Sequence, residues 1–181
     1  MVTIRESVGD FSLETYYQNT IKRIKLSQYK GKWLIVYFYP GDFTFVCPTE
    51  LSEAADHYQE IKKLGAEIIS ISTDSVYVHQ AWHDSSPLIG KIKFPMLADP
   101  TGQVCQQFGV YQSTHGIAMR ASFMIDPQGI LRAIEVNDDS IGRSITEMIR
   151  KLQAGIFTAK HPGQVCPASW QPGDKTIIKT P

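Results

Sequence analysis

Residues 33–39, WLIVYFY, form an unbroken run of β-branched and aromatic side chains between Gly31 and Pro40-Gly41. A run this short and this apolar is a buried central strand, because a helix needs more length. After a short loop, Leu51, Ala54, Ala55, Tyr58, Ile61 and Leu64 recur at spacings of three and four up to Gly65, which predicts an amphipathic helix over 48–64. Residues 67–72, EIISIS, follow as a second strand. Strand, helix and strand in that order define a βαβ crossover, and with it an α/β fold.

The rest of the pattern extends this unit. A helix is expected over 76–83, a short extended piece over 94–97 and a helix over 101–108 after the Asp99-Pro100 start signal. Residues 121–125 and 130–136 are apolar runs joined by Asp126-Pro127-Gln128-Gly129, whose proline and glycine suit a tight turn, so they are expected to pair as a hairpin. A last amphipathic helix is expected over 141–157. From 159 to 181 the chain is rich in proline and glycine and lacks periodicity, the composition of an extended arm. No repeat or composition break intervenes, which predicts a three-layer α/β sandwich with a central mixed β-sheet over 1–158, followed by an arm over 159–181.

Composition narrows function by exclusion. The 181-residue chain carries 18 basic and 18 acidic residues, interspersed, which argues against a nucleic-acid surface or a polybasic membrane anchor. Residues 1–11 hold no signal-peptide run and no stretch approaches a membrane span, so a cytoplasmic protein is expected. Three cysteines, Cys47, Cys105 and Cys166, do not make a secreted disulfide framework; in a reducing compartment each is a buried filler or a reactive thiol. His79 and His83 share a helix face as in zinc proteases, but Gln80 stands where the general-base glutamate would be and no third ligand is evident, so no metal site is expected. There is no Cys-x-x-Cys pair for dithiol exchange within one loop.

Cys47 directly precedes Pro48, and proline is favoured in the first helical turn, so the thiol is placed at a helix N-terminus. Unpaired N–H groups and the helix dipole there favour the thiolate, the nucleophilic form. Thr44, three residues earlier, is placed to offer the sulfur a hydroxyl that can both donate and accept. Pro40 closes the strand with a ring that offers no donor, a wall for a site that excludes bulk water. The plainer alternative is a small apolar residue filling a strand-to-helix junction, and Cys-Pro alone does not exclude it.

The wider context, a proline at 40, a threonine at 44 and a cysteine at 47, resembles the active-site signature of the peroxiredoxins. Phe38-Tyr39-Pro40 and Asp42-Phe43-Thr44-Phe45-Val46-Cys47-Pro48-Thr49-Glu50 are similar to the typical two-cysteine subgroup, above all to the peroxidatic subunits of bacterial alkyl hydroperoxide reductases. The similarity continues through Ser72-Thr73-Asp74, Ala98-Asp99-Pro100, Arg120-Ala121-Ser122-Phe123 and Val165-Cys166-Pro167.

The resemblance implies a thioredoxin-like fold and a thiol peroxidase acting on hydrogen peroxide and alkyl hydroperoxides without a bound cofactor. It implies that Cys47 becomes a sulfenic acid and that Cys166 of the partner subunit in a homodimer closes the disulfide. A thioredoxin-like protein or a flavoprotein disulfide reductase would then reduce that bond, and five dimers would form a ring. By the same resemblance Arg120 neighbours the sulfur and meets the charge developing on the departing oxygen. Glu50 would hold the active-site arginines, with Arg143 as the second of them. Cys105 matches no family role and is expected to pack in the core. Residues 85–90, SSPLIG, lack the Gly-Gly motif of the peroxide-sensitive members, and no Tyr-Phe helix follows Cys166, so resistance to over-oxidation is implied. The competing reading is a ring-forming holdase chaperone, distinguished by whether Cys47→Ser still suppresses aggregation.

Overall fold

The computed structural model describes residues 1–179. They form two compact units, Met1–Arg143 and a second that begins at Ser144. The first contains β1 (Ser12–Tyr17), β2 (Thr20–Lys25), β3 (Trp33–Phe38), α1 (Cys47–Asp56), α2 (Tyr58–Lys63), β4 (Ala66–Ser72), α3 (Val76–Ser85) and β5 (Met96–Ala98). It continues with α4 (Gln103–Phe108), β6 (Tyr111–Gln112), β7 (Ile117–Ala118), β8 (Arg120–Ile125) and β9 (Leu131–Asn137).

Seven strands make one mixed sheet in the order β2-β1-β5-β4-β3-β8-β9. The apolar run of the sequence is its centre: all of β3 is buried, paired in parallel with β4 on one side and antiparallel with β8 on the other. Its alternate residues serve opposite faces. Leu34, Val36 and Phe38 join Ile69, Ile71, Ala121 and Phe123 in a cluster closed by Val104, Cys105 and Phe108 of α4. The opposite set, Ile35, Tyr37, Ile68 and Ser70, is equally buried, so the sheet is covered on both faces.

The expected hairpin over 121–136 is β8 and β9, with an irregular register between Met124 and Ile125. The single helix expected over 48–64 is two, broken at His57, whose backbone (φ −92, ψ 1) leaves the helical region. Leu51, Ala54, Tyr58 and Ile61 are all buried across the break, so the apolar spacing survives it. The β1–β2 hairpin was not anticipated; Gln18 and Asn19 turn it with positive φ values of 52 and 58.

In the second unit, α5 (Ile145–Lys160) starts later than the expected 141. Residues 138–141 instead form a turn in which Asp138 accepts from the Ser140 N–H at 2.9 Å, and Ser144 caps α5 by accepting from the Glu147 N–H at 3.3 Å. The helix also runs three residues beyond the expected 157, to Lys160. The arm that follows is not simply extended: β10 (Gln164–Val165) and β11 (Ile177–Ile178) pair antiparallel. Among the described residues no helix is long and apolar enough to cross a membrane.

Candidate active site

The chain leaves β3 through buried Tyr39 and Pro40 and reverses at Phe43, which takes the left-handed φ of 56. It enters α1 at Cys47, with Pro48 in the first turn. The sulfur therefore sits at the positive end of α1, and Cys47 is 0% exposed. Register brings the arginine to it. Ala121 pairs with Phe38, so Arg120, one residue further out on β8, lies at the sheet end from which the Cys47 loop emerges.

Arg120 Nη1 stands 3.7 Å from Cys47 Sγ and donates to Glu50 Oε2 at 2.6 Å. Its Nε and Nη2 donate to the Asp139 carbonyl at 3.2 and 2.8 Å, which fixes the plane of the guanidinium. Glu50, one helical turn after Cys47, also receives Arg143: the backbone N–H donates to Oε1 at 2.6 Å, and Nη2 donates to Oε2 at 2.9 Å. The Arg143 guanidinium lies 3.5 Å above the Tyr37 ring. Burial alone would push the Glu50 carboxyl up, but hydrogen bonds and charge from Arg143, joined by the charge of Arg120, hold it below the usual carboxylate range. Desolvation opposes the charge on Arg120; Glu50 and the Cys47 sulfur outweigh it and keep the guanidinium firmly protonated. A permanent cation thus stands beside the sulfur in a water-poor site, placed to meet negative charge that develops on a leaving group there.

Of the residues singled out in the sequence, Cys47, Arg120, Glu50 and Arg143 come together, and Pro40 is buried at the base of the loop. Thr44 differs from expectation. It is exposed, and its hydroxyl donates to the Gly41 carbonyl at 2.8 Å rather than to the sulfur. Cys166, in the second unit, is half-buried with Sγ 3.9 Å from the Ala154 carbonyl oxygen of α5. Partial burial raises its thiol pKa, and the charge of Arg150 opposes that. Arg150 is itself fixed by Glu147 at 2.6 Å and donates to the Trp170 carbonyl at 2.9 Å. The Trp170 ring is buried, 5.0 Å from that of Phe157.

Cys105 is fully buried in the core cluster; burial, with Asp99 nearby, pushes its thiol well up and keeps it a neutral filler. His79 is committed to Asp42 and to a backbone carbonyl, the reverse of a metal ligand awaiting an ion. Sequence reasoning missed the Asp139 carbonyl that orients Arg120, the Tyr37 ring beneath Arg143 and the Asp42–His79 pair. Only the last had a signal available, an acid inside the cysteine motif and a histidine on the buried face of α3.

Residues 4–134 match the AhpC/TSA family, and residues 157–181 match the C-terminal domain of 1-Cys peroxiredoxin. The chain is 44% identical to alkyl hydroperoxide reductase C of Salmonella typhimurium over 177 residues, 98% of this chain and 95% of the relative. Over 148 residues, 82% of this chain and 79% of the relative, it is 49% identical to the protein of the same name from Amphibacillus xylanus. Among solved structures, Enterococcus faecalis AhpC superposes with a TM-score of 0.89 at 46% identity, covering 92% of this chain and all of that one. Reduced Plasmodium vivax 2-Cys peroxiredoxin superposes at 0.91 and 34% identity, covering 96% of this chain and 91% of that one. With a buried cysteine in the first turn of a helix beside a buried arginine on a thioredoxin-like sheet, and with relatives spanning nearly its whole length, this chain belongs to the AhpC/TSA family and is a peroxiredoxin.

Proposed function

We propose that this chain reduces hydrogen peroxide and alkyl hydroperoxides through a Cys47 sulfenic acid that Cys166 of a partner subunit resolves. The observation that carries the reading is Arg120 Nη1 at 3.7 Å from the Cys47 sulfur, on a guanidinium immobilised by Glu50 and the Asp139 carbonyl. The thiolate attacks one peroxide oxygen. The S–O bond forms as the O–O bond breaks, and the electron pair leaves on the distal oxygen, which takes up a proton as water or alcohol. Arg120 stabilises that charge as it develops. Thr44, whose hydroxyl is engaged with Gly41 in the free chain, turns to the bound peroxide. Pro40 walls the loop, while Glu50 and Arg143 hold Arg120 in register.

Cys166 then attacks the sulfenic sulfur, forming the disulfide and expelling water. A thioredoxin-like protein or a flavoprotein disulfide reductase supplies two electrons to restore both thiols, with no bound cofactor in this chain. In this reading residues 1–158 are the peroxidase domain and 159–181 the arm that reaches the partner. The active form is a homodimer that assembles as a ring of five dimers in the cytoplasm. The near-full-length match to alkyl hydroperoxide reductase C and the matched C-terminal segment support it.

The test is non-reducing electrophoresis with mass spectrometry before and after an equimolar dose of hydrogen peroxide, on wild type and Cys166→Ser. A peroxide-dependent dimer crosslinked between Cys47 and Cys166, absent from the variant, is expected. Unmodified thiols in wild type after peroxide would remove the proposal.

A further inference from the structure

Asp42 lies in the loop between β3 and α1, at the end remote from Cys47. Its Oδ1 accepts from the Tyr39 hydroxyl at 2.7 Å, and its backbone N–H donates to Asp74 Oδ2 at 2.9 Å. Its Oδ2 lies 2.7 Å from Nδ1 of His79 on α3, whose Nε2 lies 3.1 Å from the Leu97 carbonyl oxygen of β5. Both side chains of the Asp42–His79 pair are 0% exposed.

Hydrogen-bond chemistry fixes the proton count. A carbonyl oxygen only accepts, so Nε2 of His79 bears a hydrogen. A carboxylate also only accepts, so Nδ1 against Oδ2 at 2.7 Å needs a second hydrogen between them. That hydrogen makes an imidazolium facing a carboxylate, or a carboxylic acid facing a neutral imidazole. Either way the pair holds one proton more than a free carboxylate and a neutral imidazole would. The Tyr39 hydroxyl is engaged by Oδ1 and cannot take its place. A further charged group facing the pair among the described residues is Asp74, itself held by the Ser72 hydroxyl at 2.7 Å, and its negative charge favours keeping the proton. Burial, the largest influence on the Asp42 carboxyl, acts in the same direction.

We propose that this shared proton latches the Cys47 loop to α3 and β5, with His79 as a positioning residue, and that release of the loop expels the proton to solvent. Cys47 is fully buried, so bonding to any second sulfur requires its exposure, which opening of this loop provides. Once the loop leaves, Asp42 reaches water and Nδ1 of His79 loses its partner. An exposed carboxylate and an exposed imidazole give up their protons near pH 3.9 and 6.5. Above about pH 6.5 the open loop therefore binds one proton fewer than the closed loop. The closed form is fully favoured below that value; as pH rises above it the closed-to-open ratio falls, by at most about tenfold per unit, until the pair gives up the proton in the closed loop as well. The consequence for turnover rests on the role proposed above for Cys47; the latch itself does not.

Hydrogen–deuterium exchange of the Asp42 amide, which donates to Asp74, and of the Thr49 and Glu50 amides, which donate to the Val46 carbonyl, followed residue by residue in the reduced full-length chain between pH 6 and 9 and corrected for intrinsic base catalysis, reads the opening directly. Protection is expected to fall as pH rises above about 6.5, by up to about tenfold per unit. In Asp42→Asn an amide N–H replaces the shared proton, donating to Nδ1 while the amide oxygen still accepts from Tyr39, so protection is expected to stay flat. A flat profile in wild type overturns the proposal whether or not the variant folds. A wild-type slope retained in folded Asp42→Asn overturns it too. Exchange is measured without peroxide, so a failed latch and a failed peroxidase assignment register in different experiments.

Discussion

Glu50 answers two guanidinium groups with one carboxylate in a space closed to water. Glu50→Gln keeps the volume and leaves two buried cations without their counter-charge. A loss of about 3–5 kcal/mol in urea unfolding is expected, together with slower consumption of peroxide. The same carboxyl carries a pH signature. Because its pKa is depressed in the folded chain, its contribution is complete above the ordinary carboxylate value of about 4.3 and is lost as pH falls through the lower folded value, so acid titration should unfold wild type more steeply than Glu50→Gln. Arg120→Met removes the donor beside the sulfur, and stopped-flow measurement should show the second-order rate with hydrogen peroxide falling about 10²–10³-fold. The convergence of these side chains was legible from the cysteine motif and the arginine that matched it. The Asp139 carbonyl was not, since any residue could supply a backbone oxygen, and the direction of the Thr44 hydroxyl is a rotamer choice that spacing does not encode.

Elements followed hydrophobic period wherever one face was buried. β3, β4, β8 and β9 lie close to where their apolar runs placed them. The β1–β2 hairpin escaped because its second strand, TIKRIK, buries only Ile24 and otherwise presents charge, as suits a sheet edge. Its two-residue turn at Gln18-Asn19 was the available signal. The break at His57 escaped for the opposite reason, because the apolar spacing runs on across it and a lapse in backbone hydrogen bonding has no side-chain signature. After α3 the chain turns tightly, with the Ser86 carbonyl accepting from the Gly90 N–H at 2.8 Å, so residues 86–90 form a short connection without the Gly-Gly motif of the peroxide-sensitive relatives. Repeated turnover at millimolar-range peroxide is therefore expected to leave Cys47 free of sulfinic acid by mass spectrometry, while rapid accumulation of that acid would contradict the reading.

At the level of the whole molecule, the two thiols assigned to the cycle differ in kind: Cys47 is closed within the first unit, and Cys166 is half-exposed in the second. A chain ending at residue 158 is expected to consume one equivalent of peroxide per Cys47 and form no crosslinked dimer, as checked by mass spectrometry and a non-reducing gel; a crosslink in that truncation would remove Cys166 from the mechanism. The α/β class and the position of the central strand could be read from the chain alone, whereas the pairing of β10 with β11 could not, because a proline- and glycine-rich stretch without period looks the same whether it trails or folds back. That tail carries one further consequence. Trp170 is sealed beside Phe157 and tied through its carbonyl to Arg150, four residues along the chain from the Cys166 thiol that we propose as the resolving one. Any departure of Cys166 from α5 would carry this indole from a dry, aromatic setting into a wetter one. Its emission should then redden and change in intensity, giving the chain an optical clock for disulfide formation that needs no label.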